Sequence, residues 1–183
     1  MLRNSRAVLQ PARVLHEIAG LDTKEVAANL PALQKIIEQP AAAFAPQPST
    51  LREVAGKLRL VNEATPDYWP TVLRFIQFAS TGTSPSVPPA GTPANVKIGH
   101  NTGFGFQSSY KNCVAELDGG ELGPSTFENC RVRFTENPVR FLNVRFVNCV
   151  FEMPDTGTPS PYLKRAAQVI LASNLQDVFI GAL

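Results

Sequence analysis

The chain has 183 residues, of which 44% are hydrophobic and 17% are charged, and its formal net charge at pH 7 is +2. This composition is that of a folded globular protein and excludes a disordered chain, which would bury too little apolar surface to fold. Charges of both signs are spread along the chain without a basic cluster, so we expect no nucleic-acid binding. No apolar run approaches the roughly 18 to 20 residues of a membrane-crossing helix, so we expect no transmembrane segment.

The first part of the chain, residues 1–80, has the apolar spacing of short amphipathic helices. Apolar residues three or four positions apart share one face of a helix, which then packs against a neighbour. Pro31 lacks the backbone N–H that a helix interior needs, so it predicts a break near Asn29. We therefore expect a small helical bundle, in which one apolar face consists of Val26, Leu30, Leu33 and Ile37.

The next segment, residues 81–94, contains four prolines among small, mostly polar residues. Proline-rich stretches of this kind adopt extended conformations without internal hydrogen bonds, and they commonly separate domains. The composition therefore predicts a semi-extended linker.

A two-residue motif recurs five times in residues 95–183, and its copies are separated by 17, 17, 19 and 29 positions. Hairpins would reverse the chain at each step and would not reproduce one register, so a β-meander does not suit this period. The period predicts a solenoid, in which each turn of chain lays a short strand over the last one. The five copies are Asn95-Val96, Asn112-Cys113, Asn129-Cys130, Asn148-Cys149 and Asp177-Val178.

Strand alternation sorts these repeats into inward and outward columns, because successive side chains of a strand point to opposite faces. The first residue of each copy is predicted to lie in a sharp turn, since Asn tolerates left-handed backbone. This turn ladder comprises Asn95, Asn112, Asn129, Asn148 and Asp177. The second residue is predicted to point into a narrow apolar core, in a column formed by Val96, Cys113, Cys130, Cys149 and Val178.

Two outward columns suggest functions. One is mostly apolar where solvent is expected, which a covering layer of helices or a partner protein would explain. It comprises Val114, Arg131, Val150 and Phe179. The other alternates in charge and comprises Glu116, Arg133 and Glu152. These three are the candidates for catalysis, since paired carboxylates act as acid and base, but a ladder of surface salt bridges has the same pattern.

The repeats resemble the right-handed parallel β-helix, the architecture of pectate-lyase-like proteins with internal asparagine ladders. The three Asn-Cys pairs and the alternating run at 141–151 carry this resemblance, which covers roughly residues 93–183. It implies an α+β protein in which a short β-helix of about four to five coils, residues 95–183, follows the helical region. Enzymes of that class place acidic and basic residues on the outside of one sheet.

The longest interval between copies contains a helical pattern around residues 160–173. We expect it to form a helix inserted into the β-helix. The open ends of a solenoid need cover, because unpaired strand edges promote aggregation. We therefore expect this helix or the N-terminal bundle to cover an end or a flank.

No motif for a metal ion or cofactor is evident. The three cysteines form no C-x-x-C pair, and neither His16 nor His100 has a neighbour at a metal-ligand spacing. We expect no cofactor, and we expect the cysteines to be buried thiols that serve as small apolar filler. The odd number of cysteines and the lack of an Asn-x-Ser/Thr acceptor favour a reducing, cytoplasmic location.

These patterns favour a non-enzymatic scaffold that binds a protein partner or forms a homo-oligomer. The apolar outward column motivates this interpretation, together with the lack of a convergent polar cluster. The alternative is a polysaccharide-binding or polysaccharide-acting protein, in which Glu116, Arg133 and Glu152 contribute to the chemistry.

Overall fold

The computed structural model describes residues 11–39, 46–83, 87–99 and 107–183. Over these ranges the chain is an α+β protein with parallel sheets, and its helices precede most of its strands. The helices are α1 (Pro11–Gly20), α2 (Thr23–Ala28), α3 (Leu30–Ile37), α4 (Pro48–Leu58), α5 (Tyr68–Thr83) and α6 (Pro161–Ala172). The strands are β1 (Val96–Gly99), β2 (Ser108–Lys111), β3 (Val114–Asp118), β4 (Gly120–Leu122), β5 (Ser125–Glu128), β6 (Arg131–Phe134), β7 (Val139–Val147), β8 (Val150–Glu152) and β9 (Asp177–Ala182).

The N-terminal helices pack as a small bundle in which α1 contacts α4 and α3 contacts α5. Asp22 caps the start of α2 with a capping box. Its side chain accepts the backbone N–H of Glu25, and the Glu25 carboxylate accepts the backbone N–H of Asp22. The break between α2 and α3 falls at Asn29, and Pro31 lies in the first turn of α3, where its missing N–H costs nothing. The apolar faces meet in a core that includes Leu15, Leu33, Leu51, Val72 and Ile76.

The strands form three sheets by pairing successive segments of chain in parallel. The first sheet has the order β1-β3-β6-β8. The second pairs β2 with β5, and β5 with the C-terminal half of β7, while the third pairs β4 with the N-terminal half of β7. From β3 to β8 the chain therefore visits the three sheets in the same order twice and returns to the first.

Inward side chains of adjacent strands stack in register and form the core of these sheets. In the first sheet Ala115 pairs with Val132, and Val132 pairs with Phe151. In the second sheet the rings of Tyr110 and Phe127 stack with centroids 4.7 Å apart, and those of Phe127 and Phe146 with centroids 5.2 Å apart. Offset-stacked aromatic rings gain more than their buried area alone provides.

Strand β9 does not extend the parallel stack. It pairs antiparallel with β7, so that Val178 lies opposite Phe146 in the second sheet. The prediction that Val178 stacks on Cys149 is therefore wrong, as is the prediction that Asp177 continues the turn ladder, because Asp177 lies opposite Val147 within β9. The physical reason is α6, which lies between β8 and β9 and lets the chain re-enter a different sheet in the opposite direction.

The first strand has a different register from the predicted one. Val96 pairs with Ala115 and not with Cys113, and Asn95 lies beside Val114, whose N–H binds Asn95 Oδ1 at 2.9 Å. The predicted placements of Val96 over Cys113 and of Asn95 over Asn112 are therefore wrong. Equal intervals of 17 residues were assumed from the sequence, but a shift by two residues keeps each side chain on the same face, so the pattern does not distinguish the two registers.

Helices cover the sheets at the β8 end. The backbone N–H of Phe151 in β8 donates to Ser80 Oγ of α5 at 3.0 Å, and that of Met153 donates to Gln77 Oε1 at 3.4 Å. Helix α6 packs against α4 and α5, and the ring of Tyr162 stacks on Phe141. Side chains of helix α5 thus accept hydrogen bonds from backbone N–H groups in and just after β8, the last strand of the first sheet. Among the residues described, no helix combines the length and the apolar character required to cross a membrane.

Candidate functional site

Three residues of the predicted apolar outward column are aligned as expected but are not exposed to solvent. Register places Val114, Arg131 and Val150 side by side on the outer face of the first sheet. Their exposed fractions are only 1%, 8% and 1%. The prediction that these three residues form an exposed interaction surface is therefore wrong, because the chain itself covers them.

Residues 87–94, here called the strap, contribute to this cover. Arg131 Nε donates to the carbonyl oxygen of Pro88 at 2.7 Å, and Arg133 Nη2 donates to that of Thr92 at 2.7 Å. Between these contacts the strap turns, since the N–H of Thr92 approaches Pro89 O at 3.3 Å and Gly91 has a φ of 83°. Gly suits this position because it adopts positive φ without a steric penalty. Within the segment predicted as a linker, residues 81–83 thus belong to the end of α5 and residues 87–94 are bound to the sheet.

The charged column lies beside the strap. Lys97, Glu116, Arg133 and Glu152 pair in succession across β1, β3, β6 and β8. Glu152 accepts hydrogen bonds from two arginines, Arg131 Nη1 at 2.8 Å and Arg133 Nε at 2.6 Å. Lys97 Nζ lies 3.6 Å from Glu116 Oε1. Arg133 separates the two carboxylates, and each is paired with a cation, so the column is built as a salt-bridge ladder.

The turn asparagines adopt the predicted backbone but lie on the outside. Asn112, Asn129 and Asn148 have φ values of 51°, 55° and 49°. The N–H of each donates to a carbonyl of the next segment, at 3.0, 3.0 and 2.7 Å respectively. Their side chains are exposed or half-buried. They therefore differ from the internal asparagine ladder that the resemblance implies.

The cysteines form a buried column in the first sheet. The N–H of Arg131 binds Cys113 O at 2.8 Å, and that of Val150 binds Cys130 O at 3.0 Å, which aligns the three cysteines on adjacent strands. A disulfide joins Cys113 to Cys130, so the expectation of three thiols is wrong for this pair. Cys149 keeps a buried thiol, and burial raises its pKa to about 11. This thiol is protonated at neutral pH and is therefore a poor nucleophile.

The outer face of the second sheet, formed by β2, β5, β7 and β9, is here called the open face. None of its outward residues is buried. Two rows cross the four strands in register. One row consists of Ser109, Thr126, Arg145 and Phe179, and the other of Lys111, Glu128, Val147 and Asp177.

Phe179 is the main apolar feature of the open face. It is 58% exposed, and among the described residues only Leu60 on the bundle, at 69%, is a comparably exposed large apolar side chain. The ring of Phe179 lies along β9 and packs over Gly181. A Cβ added at Gly181 would lie 3.6 Å from Phe179 Cε1, which is ordinary van der Waals contact. Of the four predicted interaction residues, the structure leaves Phe179 alone on the surface.

The open face also carries two ion pairs, one next to Phe179 and one on strands β2 and β5. Arg145 Nε donates to Asp177 Oδ1 at 2.8 Å, and this hydrogen bond lowers the pKa of the Asp177 carboxyl. Lys111 Nζ lies 2.7 Å from Glu128 Oε2. Sequence reasoning assigned Asp177 to the turn ladder and predicted neither ion pair, although the alternation in β2 and β5 could have placed Lys111 and Glu128 on a common outward face.

Two clefts lie on the helical side. One of about 430 Å³ lies between α3, α5 and residues 153–156, where Arg74 contacts Asp155 at 3.0 Å and Glu38 at 3.7 Å. The other, of about 510 Å³, lies along α6 beside Lys164 and Leu183. Among the described residues that line them, neither cleft has a histidine or a cysteine. In the described ranges, no group of three or more metal-ligating side chains is placed to bind a metal ion.

Comparison with known proteins gives no match: no protein-family model fits the chain, and no curated protein or solved structure is similar to it.

Proposed function

We propose that this protein is a non-enzymatic interaction scaffold, built on a short parallel β-helix of about four coils that self-associates through its open face. The single observation that carries the proposal is the contrast between two sheet faces. The outward residues Val114 and Val150 of the first sheet are buried, whereas Phe179 on the second sheet is 58% exposed.

The β-helix part of the proposal is supported by the order of strand pairing. Two successive segments run through the first, third and second sheets in parallel register, and a third segment begins with β8. Aromatic and aliphatic side chains stack between these segments, as solenoid repeats require, since each repeat buries its apolar face on its neighbours. Helix α5 over β8 supplies an end cover.

A scaffold fits the polar groups better than an enzyme does. Glu116 and Glu152, the candidates for acid and base, are each paired with a cation, and the strap crosses the same face. An inverting or retaining glycosidase needs two carboxylates that face a shared open site. The described residues bring no such pair together on this face.

Self-association is favoured by the charge balance of the open face. Lys111 and Arg145 contribute two positive charges, and Glu128 and Asp177 contribute two negative ones. A second copy brought over this face meets no net repulsion, and a two-fold arrangement can place unlike charges opposite one another. Phe179 supplies an aromatic anchor of the kind that dominates binding energy at interfaces.

We expect the wild-type protein to form dimers in sedimentation velocity experiments and Phe179→Ser to dissociate them. Loss of one aromatic anchor at each of two symmetric contacts should raise the dimer dissociation constant about 30-fold or more. Leu60→Ser is the matched control, because Leu60 is equally exposed but lies on the helical bundle, away from the open face.

A wild-type protein that stays monomeric at about 100 μM, well above the dissociation constant of a specific dimer, would contradict self-association. Equal effects of Phe179→Ser and Leu60→Ser would also contradict it. If the monomer instead binds oligosaccharides and Phe179→Ser abolishes this binding, the polysaccharide-binding alternative replaces the scaffold.

A further inference from the structure

The strap occupies the outer face of the first sheet as a ligand would. Its two contacts to the sheet described above use backbone carbonyls, those of Pro88 and Thr92, four positions apart. Carbonyl acceptors are presented by any peptide, whatever its side chains. The turn between them brings both carbonyls to the same face of the sheet.

The hydrogen-bond donors that face the strap are guanidinium groups held in place by the sheet itself. The guanidinium of Arg131 is buried and is held by Glu152, which also holds Arg133. One carboxylate thus fixes two guanidinium groups and leaves each with N–H groups directed at the strap. Rigid, preformed donors of this kind reduce the cost of binding a peptide.

Strap residues contribute little buried surface of their own. Pro89, Ala90, Gly91 and Pro93 are exposed, whereas Val87, Pro88, Thr92 and Ala94 are half-buried. By contrast, the sheet residues Val114 and Val150 are almost fully buried. The strap residues are thus at most half-buried, whereas the two valines of the sheet face that the strap contacts through Arg131 and Arg133 are not exposed.

From these contacts we infer that the outer face of the first sheet is a binding site for a proline-containing turn peptide of a partner protein, which the strap occupies in cis. The ligand is a segment with a proline–glycine turn that presents two carbonyls four residues apart. In this site Arg131 and Arg133 donate hydrogen bonds to these carbonyls, and Val114 and Val150 form the apolar surface beneath the peptide. This inference is independent of self-association, which uses the open face of the second sheet.

Because the strap of the same chain occupies the site, a partner peptide must compete with it. A segment tethered at both ends has an effective local concentration on the order of millimolar or higher. A partner peptide must therefore bind better than the strap, or the strap must be displaced first.

The experiment uses a variant of the full chain in which residues 87–94 are replaced by a glycine–serine segment of equal length. A synthetic peptide with the sequence of residues 87–95 is added, and backbone amide shifts are followed by NMR. We expect saturable shifts at Val114 and Val150 in this variant and none in the wild type at the same peptide concentration. In the strap-replaced background, Arg133→Gln should weaken binding at least fivefold.

Arg140→Gln is the control for the loss of an arginine, because Arg140 also pairs with a glutamate, Glu121 at 3.6 Å, but does so on the third sheet. Absence of shifts in a folded strap-replaced variant up to about 5 mM peptide, above the effective concentration of a tethered segment, overturns the inference. Equal effects of Arg133→Gln and Arg140→Gln overturn it as well.

A second measurement decides the matter if the strap-replaced variant does not fold. Hydrogen exchange in the otherwise intact chain should become at least tenfold faster at Thr92 and Asn95, whose N–H groups donate to Pro89 O and Val114 O, upon Arg133→Gln, with β6 to β8 unchanged. Unchanged exchange in the strap, or acceleration that extends through β6 to β8, would identify the strap as an integral part of the fold and overturn the inference.

Discussion

Replacing Phe127 with alanine is expected to lower the free energy of unfolding by about 3–5 kcal/mol. Phe127 is fully buried at the centre of an aromatic stack, between Tyr110 and Phe146. Its removal leaves a cavity in the core between the strands. The loss combines the transfer free energy of the ring with the unfilled cavity and the two broken ring contacts.

Urea unfolding followed by circular dichroism measures this loss. Thr126→Ala is the control, since Thr126 is the neighbour on the open face and its truncation should change the free energy of unfolding by less than about 0.5 kcal/mol. A cost below about 1 kcal/mol for Phe127→Ala would mean that Phe127 is not enclosed by the strands before and after it.

Replacing Glu152 with alanine is expected to cost about 3–5 kcal/mol, because it leaves a buried charge without its partner. Arg131 is 8% exposed and lies 2.8 Å from Glu152, so its guanidinium has little water to replace the lost carboxylate. Arg133 loses its shortest contact in the same variant. The effect should therefore greatly exceed that of breaking a surface pair.

Glu128→Ala is the control for this variant. Glu128 pairs with Lys111 at a similar distance, 2.7 Å, but the two side chains are more exposed, at 38% and 62%. Its loss should cost less than about 1 kcal/mol. Adding Arg131→Met to Glu152→Ala should recover part of the stability, since it removes the stranded charge. Equal costs for Glu152→Ala and Glu128→Ala would contradict the buried ion pair.

Strand alternation predicted which side chains point inward in the middle of the chain. Cys113, Cys130 and Cys149 are buried and aligned, because the repeats that carry them differ by only two residues in spacing. The break between α2 and α3 at Asn29 was also evident, since proline has one well-defined effect on a helix. These features depend on local rules that a sequence displays.

The register of β1 and the direction of β9 depend on information that the pattern lacks. Shifting a strand by two residues preserves the inward set, so placing Val96 beside Cys113 or beside Ala115 gives the same alternation. Side chains alternate with a period of two in antiparallel and parallel strands alike. The buried positions of Val178 and Ile180 therefore do not reveal the direction of β9. Only the packing of α6 determines how the chain returns.

The strap was missed because composition describes a segment and not its contacts. Proline-rich sequence indicates an extended backbone with unused carbonyls. It does not indicate that Arg131 and Arg133, some forty positions later, bind those carbonyls. A hint was present in the outward apolar column of Val114 and Val150, which required some cover.

The stacking of parallel strands is tested most directly by nuclear Overhauser contacts between inward side chains of the first sheet. Strands about 4.8 Å apart should give strong contacts from the Ala115 methyl group to Val132, and from Val132 to the Phe151 ring. If Val132 instead shows contacts to neither residue, these segments do not lie one above another, and both the β-helix and the surfaces assigned to it are lost.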